Sequence, residues 1–126
     1  MSTKFEKDET FFTGRFKSLG IALKGAYKLI TTEHSIMVQV FLIIILIVAG
    51  FYFNISKTDW MFQIFASGLV LSIEGLNTAV EKVADFIHPN YHKRIGFIKD
   101  VAAGAVFFAA ITAMIIGLMI YLPFFI

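Results

Sequence analysis

The chain has 126 residues, of which 58% are apolar, and its mean hydropathy is +0.79, values set for a bilayer rather than for a soluble core. It has no cysteine, which excludes disulfides, thiolate metal sites and a cysteine nucleophile. The net charge of +2 is too small to suggest nucleic acid, so the placement of the charges is more informative than their sum. The length predicts one domain, 1–126.

Residues 1–9, MSTKFEKDE, are polar and expected to fray. From about 10 to 32, Phe12, Phe16, Leu19, Leu23, Ala26 and Ile30 recur at three- and four-residue steps, with Arg15, Lys17, Lys24 and Lys28 between them. This pattern predicts a basic amphipathic helix suited to an anionic leaflet. The run 36–53, IMVQVFLIIILIVAGFYF, is broken only by Gln39 and predicts a first span over about 35–53. NISKTD, 54–59, reads as a short turn. A second span follows over about 59–87, anchored by Trp60 at the interface. HPNYHKRIG, 88–96, breaks the helix with Pro89 and Asn90, and a third span is predicted over about 97–122. No cleavable signal sequence is visible, because the first long apolar run follows a polar lead and lacks a small-residue cleavage site.

Ten of the eleven Lys and Arg residues precede the first span or lie in 82–99, and the exception is Lys57 in the turn. The positive-inside rule then places the N-terminus and the 88–96 loop in the cytoplasm, with the turn and the C-terminus outside. The fold class expected is all-α: a surface helix and three transmembrane helices.

The second span carries charges that a lipid-facing helix would not keep without a use. With Glu74 at zero and ~100° per residue, Asn77 falls near −60°, Thr78 near +40°, Glu81 near −20° and Asp85 near +20°. All share one face. Gly68, Ser72, Gly75 and Ala79 fall on roughly the opposite side, between about 100° and 160°, where another helix can approach closely. Ala105, Ala109, Ala113 and Gly117 repeat every four residues on the third span and support close helix packing in an oligomer.

Counted from Trp60 at ~1.5 Å per residue, Glu74 lies ~21 Å along the helix, ~9 Å short of the far side of a ~30 Å hydrocarbon core. That is head-group depth, whereas Glu81 and Asp85 emerge at the water boundary. Glu74 and Glu81 are ~10 Å apart along the axis, too far to share a metal ion or a proton, so two separate jobs are implied. A glutamate in an apolar site suits proton transfer. A carboxylate at the boundary can ligand a hard cation such as Mg2+. Lys99 and Asp100 fall in the first turn of the third span, and a lysine there can meet phosphate. Glu33, at the end of the amphipathic helix, lies at a depth to meet Glu81. This set suggests phosphoryl transfer to a lipid hydroxyl. No P-loop or G-x-G-x-x-G loop is present, which excludes the ordinary soluble kinase folds.

These residues carry a resemblance. Glu74-x-x-Asn77-x-x-x-Glu81-x-x-x-Asp85, then Asn90-Tyr91-His92, then Lys99-Asp100, resemble the signature of the small prokaryotic diacylglycerol kinase family, which includes undecaprenol kinases. The resemblance covers about 13–122. It implies a homotrimer of three-span subunits in the bacterial inner membrane, with active sites shared between subunits. ATP would be the phosphoryl donor, with Mg2+ as cofactor, and a membrane lipid alcohol would be the acceptor. By position, Glu74 would be the catalytic base and Asn77 would orient groups at the reacting centre. Glu33 and Glu81 would hold the metal with the ATP phosphates. Lys24, Asp85, Asn90, Tyr91, His92, Lys99 and Asp100 would contact the nucleotide, and so would Arg15, although the family arginine aligns on Gly14. A second acid of the Gram-negative diacylglycerol kinases is Gln39 here, and the run KDVAAGAV, 99–106, is closer to the undecaprenol kinase branch. Both features tilt the acceptor toward a polyprenol rather than diacylglycerol.

The competing class is a small ion- or proton-conducting or pore-forming membrane subunit. An intramembrane Glu74 suits it, but Glu33, Lys99 and Asp100 clustered at one leaflet do not. His34, His88 and His92 lack a tight ligand spacing and read as interfacial histidines.

Overall fold

The computed structural model describes residues 11–126, so the expectation of fraying over 1–9, like the start of the first helix at Thr10, lies outside the described residues. The described residues form four α-helices and one 3-10 turn, with no strand among them. They divide between two compact units that meet at His34 and Ser35.

The first unit contains α1, Phe11–Thr32, none of whose residues is buried. The Arg15 guanidinium lies 5.1 Å from the centre of the Phe11 ring. The helix ends in two threonines whose hydroxyls turn back onto it. Thr31 Oγ1 donates to the Tyr27 carbonyl at 2.8 Å and Thr32 Oγ1 to the Lys28 carbonyl at 2.5 Å. Such back-bonding competes with the backbone ladder and favours a helix end, and Glu33 is not helical.

The second unit holds α2, His34–Tyr52, α3, Lys57–Ile87, and α4, Lys93–Tyr121, followed by the 3-10 turn Leu122–Phe124. Among the described residues three helices are long and apolar enough to cross a membrane: α2, α3 and α4 continued to Phe124. At ~1.5 Å per residue the 31 residues of α3 reach ~46 Å, well beyond a ~30 Å core. Its last turns therefore stand outside the hydrocarbon if its first turn enters it.

Both junctions are tighter than the apolar pattern predicts, because local caps start the helices early. Between α2 and α3 the chain reverses through Asn54, whose φ of 53° is a left-handed conformation that asparagine tolerates. Ser56 then caps α3, its side chain accepting from the Asp59 amide at 3.1 Å. The helix begins at Lys57 rather than at 59. Between α3 and α4, His88 Nδ1 lies 2.6 Å from the Asn90 carbonyl. His92 Nδ1 accepts from the Arg94 amide at 3.1 Å and caps α4. The helix therefore starts at Lys93, four residues before the apolar run suggests.

One buried polar node joins all three long helices near the 54–56 turn. Gln63 of α3, only 6% exposed, donates through Nε2 to the Leu46 carbonyl of α2 at 3.1 Å. The Tyr121 hydroxyl of α4 lies 2.5 Å from Gln63 Oε1 and 3.1 Å from the same Leu46 carbonyl. Its single proton can serve one of these acceptors, and the shorter approach is to Gln63. Below this node Gly50 admits the Trp60 ring. A Cβ at Gly50 would stand 2.6 Å from Trp60 Cη2 and 3.2 Å from Ile55 Cδ1, and neither a rigid indole nor its buried neighbour can yield cheaply. Gly50→Ala is expected to destabilise the protein by about 1–3 kcal/mol through overpacking, read as a lower thermal midpoint in detergent. An unchanged midpoint would show that Trp60 shifts without cost.

Candidate active site

The buried residues of α3 are Gln63, Ala66, Val70, Thr78 and Ala84. On the same ~100° count they fall between about −80° and +40° of Glu74. The face carrying the carboxylates is thus the face turned into the subunit. The opposite face is bare within one chain: Phe65, Leu76, Val83 and Phe86 are all more than half exposed, and Gly68, Ser72 and Ala79 are exposed with them. A Cβ at Gly68 would meet nothing within 4 Å.

Along the inward face the environment changes steadily. Glu74 and Asn77 are half-buried, while Glu81 and Asp85 are exposed. Asn77 Nδ2 donates to Glu81 Oε1 at 3.4 Å, a long contact that sets the amide facing down the helix toward the water boundary. Asn77 Oδ1 is buried without a hydrogen-bond partner. A native buried acceptor is rarely left so. One turn beyond Glu81, Asp85 Oδ1 pairs with Lys99 Nζ of α4 at 2.6 Å. This bond links the end of α3 to the start of α4 and orients the Lys99 ammonium.

The loop after α3 is ordered by its own histidines. The His88 and His92 rings stand 5.1 Å apart, edge to face. The cap occupies His92 Nδ1, which leaves Nε2 as its outward nitrogen. Tyr91 is 87% exposed, and its ring edge lies 3.4 Å from where a Cβ on Gly96 would stand. Asn90 and Asp100 are exposed. In the first unit Arg15 and Lys24 are exposed and Glu33 is half-buried.

The predicted residues of the second unit therefore gather as Glu74, Asn77 and Glu81 on one face, with the Asp85–Lys99 pair beyond them. Lys99 and Asp85, each expected to meet a nucleotide, first meet one another. Among the described residues no three Asp, Glu or His side chains converge as a ready-made metal cage. The sequence reading passed over Gln63 and Ser67. Both fall within about 20° of Glu74 on the helical count, so carrying that count toward the turn would have found them.

The second unit is thus a membrane-length three-helix body with a half-buried glutamate on the inward face of α3, a further carboxylate beyond it and a paired lysine at its end. Comparison with known proteins supplies the class. Residues 20–121 match the model of the prokaryotic diacylglycerol kinase family. An undecaprenol kinase of Bacillus subtilis is 35% identical over 86% of this chain and 88% of its own length. A diacylglycerol kinase of Synechocystis is 33% identical over 84% of this chain and 61% of its own length. The diacylglycerol kinase of Escherichia coli K12 is 29% identical over 84% of this chain and 87% of its own length. The chain belongs to the prokaryotic diacylglycerol kinase family. It is a bacterial membrane lipid kinase, a phosphoryl-transfer enzyme whose substrates are a nucleotide and a lipid.

The Asp85 and Lys99 side chains are 57% and 37% exposed, so their bond is screened by water. Asp85→Asn is expected to change folding stability by less than about 1 kcal/mol, as measured by chemical denaturation in micelles. A larger loss would make the pair a structural clasp instead of a device for aiming Lys99.

Proposed function

We propose that the protein transfers the γ-phosphoryl group of ATP to the hydroxyl of a long-chain lipid alcohol, undecaprenol ahead of diacylglycerol. The observation that carries this reading is the half-buried Glu74, on the same inward face as Asn77 and Glu81 and short of the water boundary. Lipid hydroxyl and nucleotide phosphate reach such a face from opposite directions. Gln39, a neutral amide where the Gram-negative diacylglycerol kinases carry an acid, supports the polyprenol, as does the similarity to the Bacillus subtilis enzyme.

Glu74 accepts the hydroxyl proton as the lipid oxygen attacks the γ-phosphorus, and the bond to the β-bridging oxygen breaks to release ADP. The proton on Glu74 then passes to water. Asn77 presents its unpartnered Oδ1 to a donor at the reacting centre and steadies Glu81 through Nδ2. Glu33 and Glu81 would hold Mg2+. Two carboxylates suit an ion that takes one or two from protein and the rest from phosphate and water, so a third protein ligand is not required. When bound, Mg2+ offsets the phosphate charge. Asp85 aims Lys99 at the phosphates, while Asp100, Lys24 and Arg15 add polar contacts to the nucleotide. Asn90, the Tyr91 ring and the outward nitrogen of His92 line the loop side.

The whole of 1–126 acts as one membrane domain. In this reading α1 lies on the cytoplasmic leaflet, with its basic residues toward the head groups. The 88–92 loop and active site are cytoplasmic and the C-terminus is outside. The bare small-residue face of α3 supports assembly with other copies, and a homotrimer with sites shared between subunits brings α1 residues of one copy to α3 of another.

Phosphate transfer from γ-labelled ATP in mixed micelles with Mg2+, offering undecaprenol and diacylglycerol together, tests the reading. Labelled undecaprenyl phosphate in excess supports it, and labelled phosphatidic acid in excess reverses the acceptor. Glu74→Gln is expected to lower kcat by at least about a hundredfold with ATP binding retained. Loss of ATP binding in that variant would remove Glu74 from the chemical step. Glu81→Gln is expected to raise the Mg2+ concentration for half-maximal rate at least about tenfold. An unchanged Mg2+ dependence would take Glu81 out of the metal site.

A further inference from the structure

A cavity of about 400 Å3 lies among α2, α3 and α4, within the volume range of small-molecule sites. Its α3 wall is Gln63, Ala66, Ser67 and Val70. This wall continues the Glu74 face, and Val70 stands one helical turn, ~6 Å, from Glu74. Gln39 of α2 lies on its wall, and Gly117 and Tyr121 belong to its α4 side. At the end near the 54–56 turn, Tyr121 is bonded to Gln63 and Gln63 to the Leu46 carbonyl. Apart from Gln39 and Ser67 the remaining lining is apolar, and a cavity so lined favours apolar guests.

Resting on the reading that Glu74 receives the acceptor hydroxyl, we propose that this cavity holds the head-proximal part of the acceptor's hydrocarbon chain, with the Gln63–Tyr121 bond as its end wall. Three observations select this occupant. The cavity and Glu74 share one face of α3, so a chain whose hydroxyl is at Glu74 enters the cavity without turning around the helix. The axial distance from Glu74 to Gln63 is ~16 Å, a reach that an extended chain fills and a compact polar molecule does not. The volume, at about 30 Å3 for each water- or methylene-sized group, takes about a dozen carbons. That matches a geranyl to farnesyl segment, and a longer chain leaves sideways into the bilayer. Gln63 and Tyr121 are thereby specificity-determining residues, which set how much of the chain is recognised.

The test compares phosphorylation of geraniol, farnesol and geranylgeraniol in the same micelles by wild type and by Gly117→Phe. A Cβ at Gly117 meets no atom within 4 Å, so the ring enters open space. In wild type kcat/KM is expected to climb from geraniol to farnesol and then level off. In Gly117→Phe the advantage of farnesol over geraniol falls at least about tenfold, the scale set by losing a few methylenes from an apolar pocket. Chain partition into the micelle is common to both proteins and cancels in this ratio. Leu76→Phe, on the exposed opposite face, leaves the ratio as in wild type. An equal ratio in wild type and Gly117→Phe would overturn the proposal, as would equal loss in Leu76→Phe. Should Gly117→Phe fail to fold, Ser67→Phe places the ring on the α3 wall.

A second measurement does not need turnover. A farnesol-length alcohol with a diazirine at its far end, irradiated with the Glu74→Gln protein, is expected to label peptides containing Gln63, Ser67 or Gly117. Labelling confined to exposed residues such as Phe65 and Leu76, or matched by a phosphatidylcholine with the same probe, would overturn cavity occupancy. Full activity in Glu74→Gln alongside cavity labelling would instead strike the proposed role of Glu74 and leave the chain site standing.

Discussion

The rotation of α3 about its own axis is the constraint on which the rest of the structure depends. In hydrocarbon an unsatisfied amide or carboxylate costs several kcal/mol, and α3 carries five such groups on one strip: Gln63, Glu74, Asn77, Glu81 and Asp85. Turning the strip inward lets Gln63 bond to α2 and α4, Asn77 bond to Glu81 and Asp85 bond to Lys99. The same rotation exposes Phe65, Leu76, Val83 and Phe86 to lipid or to another copy. A helix turned by half a revolution would present Gln63 and Glu74 to acyl chains. The proposed site therefore lies on the same strip of α3 whose bonds to α2 and α4 set the helix's rotation.

Very few of the described residues are buried, among them Ile36, Ala66, Val70, Ala109 and Ile120, and the node at Leu46, Gln63 and Tyr121 is correspondingly important. Helices in a bilayer gain little from apolar contact, because lipid competes on equal terms. Bonds that lipid cannot make decide which helices stay together. The node does this at one end of the unit, while at the other the short 88–92 connection keeps α3 and α4 together and the water-screened Asp85–Lys99 bond adds little. Between them the helices separate enough to leave the cavity.

Much of this was legible in the sequence because two periodic signals are strong. Apolar runs located α2, α3 and α4, and a ~100° count placed Glu74, Asn77, Glu81 and Asp85 on one face. The helix starts were less legible, since they depend on individual caps: Ser56 with the Asp59 amide, and His92 with the Arg94 amide, the latter from a residue outside the usual N-cap set. The pairing of Lys99 with Asp85 depends on how two helices converge, and hydropathy carries no trace of it. The Gln63–Tyr121 bond joins residues 58 positions apart. Only the placement of Gln63 on the Glu74 face hinted at it, because a lone glutamine in an apolar run more often signals a local hydrogen bond than a long-range one.

The strip also explains why its polar groups differ along its length. Near the 54–56 turn the groups are a neutral amide and a phenol, which can be fully satisfied by one another and a single carbonyl. A carboxylate at Gln63 would have a phenol and an amide-starved carbonyl for company and no cation within the node. At the other end water is near, so charge is affordable and useful: Glu81 and Asp85 are exposed, and Lys99 lies within reach. Glu74 stands at the crossing of these two regimes, half-buried and one turn from an apolar cavity. A group there borders both the apolar cavity, which suits a hydrocarbon chain, and the polar end of the helix, which suits a charged reactant, and this double neighbourhood is what the proposed reaction rests on.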